Sequence, residues 1–118
     1  MNRIEISVLK PDTALHTFAA TWHAAEADKD VVPQLTFGSL RALFPAITEK
    51  RLELLRHVAA HAGLNVRQLA KSLQRDYKNV HTDVSSLLEL GLLDRGEDGT
   101  LSTPYDEIVI HAGIRDAA

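Results

Sequence analysis

Apolar and polar residues alternate at the start of the chain, Ile4, Ile6 and Val8 against Arg3, Glu5 and Ser7. A period of two puts one face of a strand on a core, so a half-buried strand is predicted over Arg3–Leu9. Lys10-Pro11-Asp12-Thr13 breaks that pattern, and Asp12 or Thr13 offers an oxygen to the free N–H groups of a helix start. Leu15, Phe18, Ala19, Trp22 and Ala25 then recur at steps of three and four, which predicts an amphipathic helix to about Lys29. Val31 to Gln34 contains a Pro and reads as a connection; Leu35-Thr36-Phe37 is extended or irregular. Ser39 to Phe44 is a short helix expected to stop before Pro45, because the residue preceding a Pro disfavours helical backbone.

The pattern sharpens from Thr48. This residue is a candidate N-cap for a helix carrying Leu52, Leu55, Val58, Ala59 and Ala62 as its apolar stripe, ended by Gly63 as a left-handed cap. Asn65, followed three residues later by Gln68, has the form of a capping box and opens a second helix with Val66, Leu69, Ala70 and Leu73 inward. A tight connection at Gln74-Arg75-Asp76 supplies the next cap. Tyr77, Val80, Val84, Leu87 and Leu88 mark a third helix that stops at Gly91. Leu92 to Arg95, a polar turn at Gly96-Glu97-Asp98-Gly99, and Thr100 to Thr103 read as a hairpin. Ile108-Val109-Ile110 is a last apolar strand.

Three short helices, the last two joined by a tight turn, and then a hairpin, are the order of a winged helix-turn-helix. The expected fold is therefore α+β, with residues 1–47 as a strand-and-helix extension and 48–118 as the DNA-binding domain. The order suits DNA geometrically: the third helix enters the major groove, the second braces it, and the hairpin reaches a neighbouring backbone. With Val80, Val84, Leu87 and Leu88 buried, the outward face of helix 77–90 carries Lys78, Asn79, His81, Thr82 and Ser85, while Asp83 and Glu89 lie farther round or along. The candidate DNA contacts are those five, together with Tyr77 at the helix start, Arg67, Lys71 and Arg75 before it, and Arg95 from the hairpin.

Charge refines this picture. The 118 residues carry a formal net charge of -3, which is unpromising for a nucleic-acid binder, but the distribution is uneven. Residues 49–81 hold seven basic side chains against three acidic ones, whereas 82–118 hold two against eight. A basic block thus precedes an acidic C-terminal third; a solvated helical surface is the plainer account of it. Apolar residues make up 45% and charged residues 25%, the composition of a chain with a core, and the absence of Cys excludes disulfides and thiolate metal sites. The N-terminus does not read as a signal peptide, and no stretch approaches the roughly 18 apolar residues that span a bilayer. A soluble cytoplasmic protein with no membrane association is expected.

Tyr77-Lys78-Asn79-Val80-His81, Leu87-Leu88-Glu89-Leu90-Gly91-Leu92-Leu93 and Pro104-Tyr105-Asp106-Glu107-Ile108, with Lys50 to Leu55, resemble a family of archaeal and bacterial DNA-binding proteins. That family is related to the MarR-like winged-helix transcriptional regulators, and some members serve as antitoxins. The resemblance covers nearly the whole chain. The Leu-Glu-Leu-Gly-Leu ending is shared by many winged-helix groups; Tyr-Lys-Asn-Val-His with the downstream Pro-Tyr-Asp-Glu is more specific. DNA binding and regulation are what the resemblance implies. One departure is Thr82, which stands where many such regulators place an Arg.

Other chemistry is weaker. His57 and His61 have the four-residue spacing of two metal ligands on a helix, but neither the Glu of a zinc motif nor any Cys accompanies them, so surface or hydrogen-bonded histidines are expected. His16 and His23 carry no better signal. No nucleophile motif, phosphate-binding Gly loop or carboxylate pair is present, and neither catalysis nor a cofactor is expected. Phe18 and Trp22 suit a core or a homodimer interface. A homodimer on double-stranded DNA is the expected assembly, since one short helix reads few base pairs. The rival is a winged-helix module that binds a partner protein, such as an antitoxin with its toxin, which the acidic C-terminal third favours.

Overall fold

The computed structural model describes residues 2–8 and 32–114. The helix expected between Thr13 and Lys29, with Leu15, Phe18, Trp22, His16 and His23, lies outside the described residues. The described residues fall into two units. The first is formed by the two ends of the chain, and Ala46–Asp106 is the second.

In the first unit, β1 (Arg3–Val8) is the central strand of three, with β2 (Gln34–Phe37) on one side and β5 (Glu107–His111) on the other, both parallel to it. Ile6 lies beside Leu35 in one register and beside Ile110 in the other. The alternation seen in the sequence holds for Ile4 and Ile6, which are buried, against exposed Arg3, and fades at the end of the strand, where Ser7 and Val8 are both half-buried. Parallel strands need crossover connections, and the connection from β2 to β5 contains the whole of the second unit. Residues 107–111 therefore belong with the N-terminal strand, whereas the sequence reading grouped them with residues 48–106. An apolar run shows that a strand exists but does not name its partner.

Helix α1 (Leu40–Ala46) ends at the boundary between the units and runs two residues past the expected stop, with Pro45 inside it. Ser39 Oγ accepts from the Ala42 N–H at its start. Pro45 sacrifices one bond in the last turn, where little helix remains to be broken. The carbonyl of Ala46 is not left free, because Arg51 Nη1 donates to it at 3.0 Å.

The second unit holds three helices and a hairpin. Helix α2 (Glu49–Ala60) is capped by Thr48, whose Oγ1 accepts from Arg51 N–H at 3.2 Å. It buries Leu54, Leu55 and Val58, so the buried stripe is rotated from the expected one: Leu54 was missed, and Ala59 and Ala62 are exposed. The helix stops at Ala60, capped by His61, and Gly63 takes positive φ in the connection that follows. Helix α3 (Val66–Leu73) has the full capping box: Gln68 N–H donates to Asn65 Oδ1 at 2.8 Å, and Asn65 N–H to Gln68 Oε1 at 3.0 Å. Its C-cap is Gln74 in the left-handed conformation, with Arg75 N–H bonded to the Ala70 carbonyl. Helix α4 (Tyr77–Glu89) starts on Asp76, whose carboxylate accepts from Asn79 N–H, and buries Val80, Val84 and Leu87 completely. Tyr77, expected on the inward stripe, is instead exposed, with its ring against the Arg67 guanidinium.

Gly91 turns the chain at positive φ, and Leu92 and Leu93 enter the core. Strands β3 (Asp94–Arg95) and β4 (Leu101–Ser102) form the expected hairpin, with Gly99 at positive φ in its turn. The hairpin is fixed at two points: Leu101 is buried, and its N–H donates to the Leu64 carbonyl between α2 and α3 at 2.8 Å. Among the described residues no helix is long and apolar enough to cross a membrane.

Candidate nucleic-acid interface

The polar face of α4 follows from its buried one. At 100° per residue, Val80, Val84 and Leu87 fix one side, and Lys78, Thr82 and Ser85 fall opposite them, with Asn79 on one flank and His81 on the other. Lys78, Asn79, His81 and Thr82 are exposed and Ser85 is half-buried. Thr82 Oγ1 donates to the Lys78 carbonyl at 3.0 Å, which fixes its rotamer while leaving its lone pairs outward. The first two turns are thus rich in short polar groups and hold one cation. Glu89, in the last turn, is also exposed, so any anionic ligand is better received at the N-terminal half.

A second row runs along the His81 flank. The Arg67 guanidinium of α3 lies over the Tyr77 ring, its carbon 5.3 Å from the ring centroid, and the Tyr77 and His81 rings are 5.8 Å apart. The cation is held by the negative face of the ring without losing its N–H donors. Lys71, also from α3, is exposed. Arg67, Tyr77 and His81 are thus neighbours on a surface contributed by two consecutive helices, and Lys71 and Lys78 are exposed on those same helices.

Arg75 is placed differently from the other candidates. Its Nη2 donates to Asp83 Oδ2 at 2.8 Å, and Arg51 Nε donates to Asp83 Oδ1 at 3.0 Å. Arg51 also bonds Ser86 Oγ at 3.2 Å through Nη2. Both arginines are mostly shielded from solvent, with side chains 14% and 21% exposed. Much of the positive charge that the sequence offered at these two positions is spent inside the protein, on a carboxylate of α4. Sequence reasoning passed over Arg51 and Asp83 because they are 32 residues apart and neither lies on a periodic pattern.

Arg95, the hairpin candidate, is exposed, but it shares that hairpin with Asp94, Glu97 and Asp98, all exposed. Asp98 Oδ1 accepts from Thr100 Oγ1 at 2.7 Å and from Thr100 N–H at 3.1 Å, and these bonds hold its carboxyl below its ordinary value. The hairpin tip is anionic at neutral pH, which sets it apart from the cationic α3–α4 surface.

His57 of α2 and His61, its C-cap, are engaged with each other and with the protein. Their rings stack at 4.1 Å, His57 Nε2 shares a 2.6 Å hydrogen bond with Ser72 Oγ, and His61 Nδ1 lies 3.1 Å from the His57 carbonyl. Among the described residues no group of three or more His, Cys, Asp or Glu side chains is placed to hold a metal ion.

No curated protein and no solved structure matches the chain. Residues 46–110, which take in the second unit and most of β5, match the model of the HVO_A0114 family. That match spans more than half of the 118 residues, and the chain belongs to the HVO_A0114 family.

Proposed function

We propose that residues 46–106 are a winged helix-turn-helix that binds double-stranded DNA in transcriptional control, with α4 as the helix that enters the major groove. The observation that carries this reading is the outward face of α4, with Lys78, Thr82 and Ser85 opposite fully buried Val80, Val84 and Leu87 and Asn79 exposed on its flank. Helix α3 is the brace, and Arg67 and Lys71 reach phosphates beside the groove. Asn79 and Thr82 are the base-reading candidates, Asn being able to pair bidentately with adenine. The role is binding rather than catalysis, in the cytoplasm, and the active species is a homodimer, because one 13-residue helix covers too few base pairs for a selective site.

Selection of bound fragments from random duplex DNA tests this, followed by two substitutions measured on the selected site and on a scrambled duplex. Lys78→Ala should weaken both, since a phosphate contact carries no sequence information. Asn79→Ala should weaken the selected site alone, by roughly 1–3 kcal/mol if a bidentate base contact is lost. Equal losses on both duplexes for both variants would remove base reading by α4.

A second reading, a winged-helix module that binds a protein such as a toxin, is favoured by the hairpin. Asp94, Glu97 and Asp98 surround Arg95 there, and such a wing repels a phosphate backbone while suiting a basic protein partner. Selection that enriches no sequence, together with co-purification of a partner lost on Glu97→Lys, would favour this second reading.

A further inference from the structure

Val80, Val84 and Leu87 turn one face of α4 inward, and directional bonds from its polar side chains narrow the rotation that this packing leaves. Asp83 is the group on α4 with directional bonds to other segments on both of its oxygens. Oδ1 is held by Arg51 of α2 at 3.0 Å, and Oδ2 by Arg75 of the α3–α4 connection at 2.8 Å. All three nitrogens of Arg51 are engaged: Nε on Asp83, Nη2 on Ser86 one turn along the same helix, and Nη1 on the Ala46 carbonyl that ends α1. A planar guanidinium bonded at three nitrogens has one orientation, and it passes that orientation to α4 at two points three residues apart.

We propose that Asp83 and Arg51 are positioning residues for DNA reading: through Arg51 and Arg75 they set the rotation of α4 and thereby the aim of Asn79 and Thr82. The proposal rests on the DNA reading above. Asp83 follows Thr82 directly and lies one turn beyond Asn79, so a carboxylate clamped on both oxygens limits how far those two side chains swing. Arg75 then acts mainly through Asp83, although its basic character alone suggests a phosphate contact.

Charge and position make opposite predictions for Asp83→Asn, which keeps the shape and removes the negative charge. If Asp83 were only a charge near DNA, its loss would strengthen binding to every duplex. As a positioning residue, its loss should lower the preference for the selected site over a scrambled duplex by about tenfold, the discrimination of one base contact. Scrambled binding should stay unchanged or tighten. Arg51→Lys is the second variant, keeping charge and aliphatic stem but unable to reach three acceptors at once; it leaves Asp83 paired with Arg75 and is the milder change. It should lower the preference similarly with an unchanged salt slope.

Both are measured in the full chain, with helical circular dichroism as the check on folding. A wild type that enriches no sequence overturns the DNA reading and this proposal together. A selective wild type with variants that are folded and keep the preference, or that lose both affinities equally, overturns the positioning role alone.

Discussion

Gln74 ends α3 with φ 57 and ψ 44, the one described residue other than glycine with positive φ. A side chain in that conformation costs about 1 kcal/mol, and glycine escapes the cost while adding freedom to the unfolded chain. Gln74→Gly should therefore stabilise by roughly 0.5 kcal/mol, raising the thermal midpoint by a few degrees; a lower midpoint would show that the Gln side chain does more than tolerate the turn. At this scale the sequence was legible where one residue type meets one local job. The Asn65–Gln68 box was readable because both partners and their spacing lie in four consecutive residues. The same held for Thr48 and Asp76 as caps. The Asp83 bonds were not readable, since Arg51 and Arg75 differ from Arg67 in what surrounds them and not in what they are.

Among the elements, α3 and α4 kept their expected inward sets almost unchanged, because 3.6-residue spacing and caps act within one helix. Helix α2 did not, and its alanines explain why. Ala59 fits an apolar stripe by composition, yet it gains little from burial, and Leu54 decides the rotation; Ala62 lies beyond the end of the helix. The hairpin gives a prediction with a sign. The folded Asp98 carboxyl titrates below the ordinary 3.8 because Thr100 donates to its charged form from both its hydroxyl and its N–H. A depressed folded value means that the stabilisation is complete above the unfolded pKa and is lost as pH falls through the lower, folded one. Protection of the Thr100 amide from hydrogen exchange, corrected for intrinsic rate, should therefore fall on acidification through that range. In Asp98→Asn the protection should be nearly independent of pH there. A wild-type profile as flat as the variant's would place the hairpin's stability elsewhere.

At the scale of the whole molecule, the sequence reading cut the chain once, near residue 47. The structure places both ends of the chain in one parallel sheet, with residues 46–106 between β2 and β5. Long-range strand pairing leaves little mark on local periodicity, so an apolar run such as Ile108-Val109-Ile110 shows a strand without showing that it pairs with β1. A fragment of residues 46–106 should fold alone, with a cooperative thermal transition and α-helical circular dichroism, since buried Val80, Val84, Leu87, Leu92, Leu93 and Leu101 all lie within it. A fragment that melts without a transition would show that the two units are not separable. The central claim is that the α3–α4 surface takes up a phosphate backbone, and the most direct test is the affinity of the full chain for duplex DNA as salt is varied. With Arg67, Lys71 and Lys78 as phosphate contacts, log affinity per protomer should fall against log salt with a slope of about −3, and Lys78→Ala should make it shallower by about one unit. Absence of binding at low salt, or a slope unchanged by Lys78→Ala, would contradict the account.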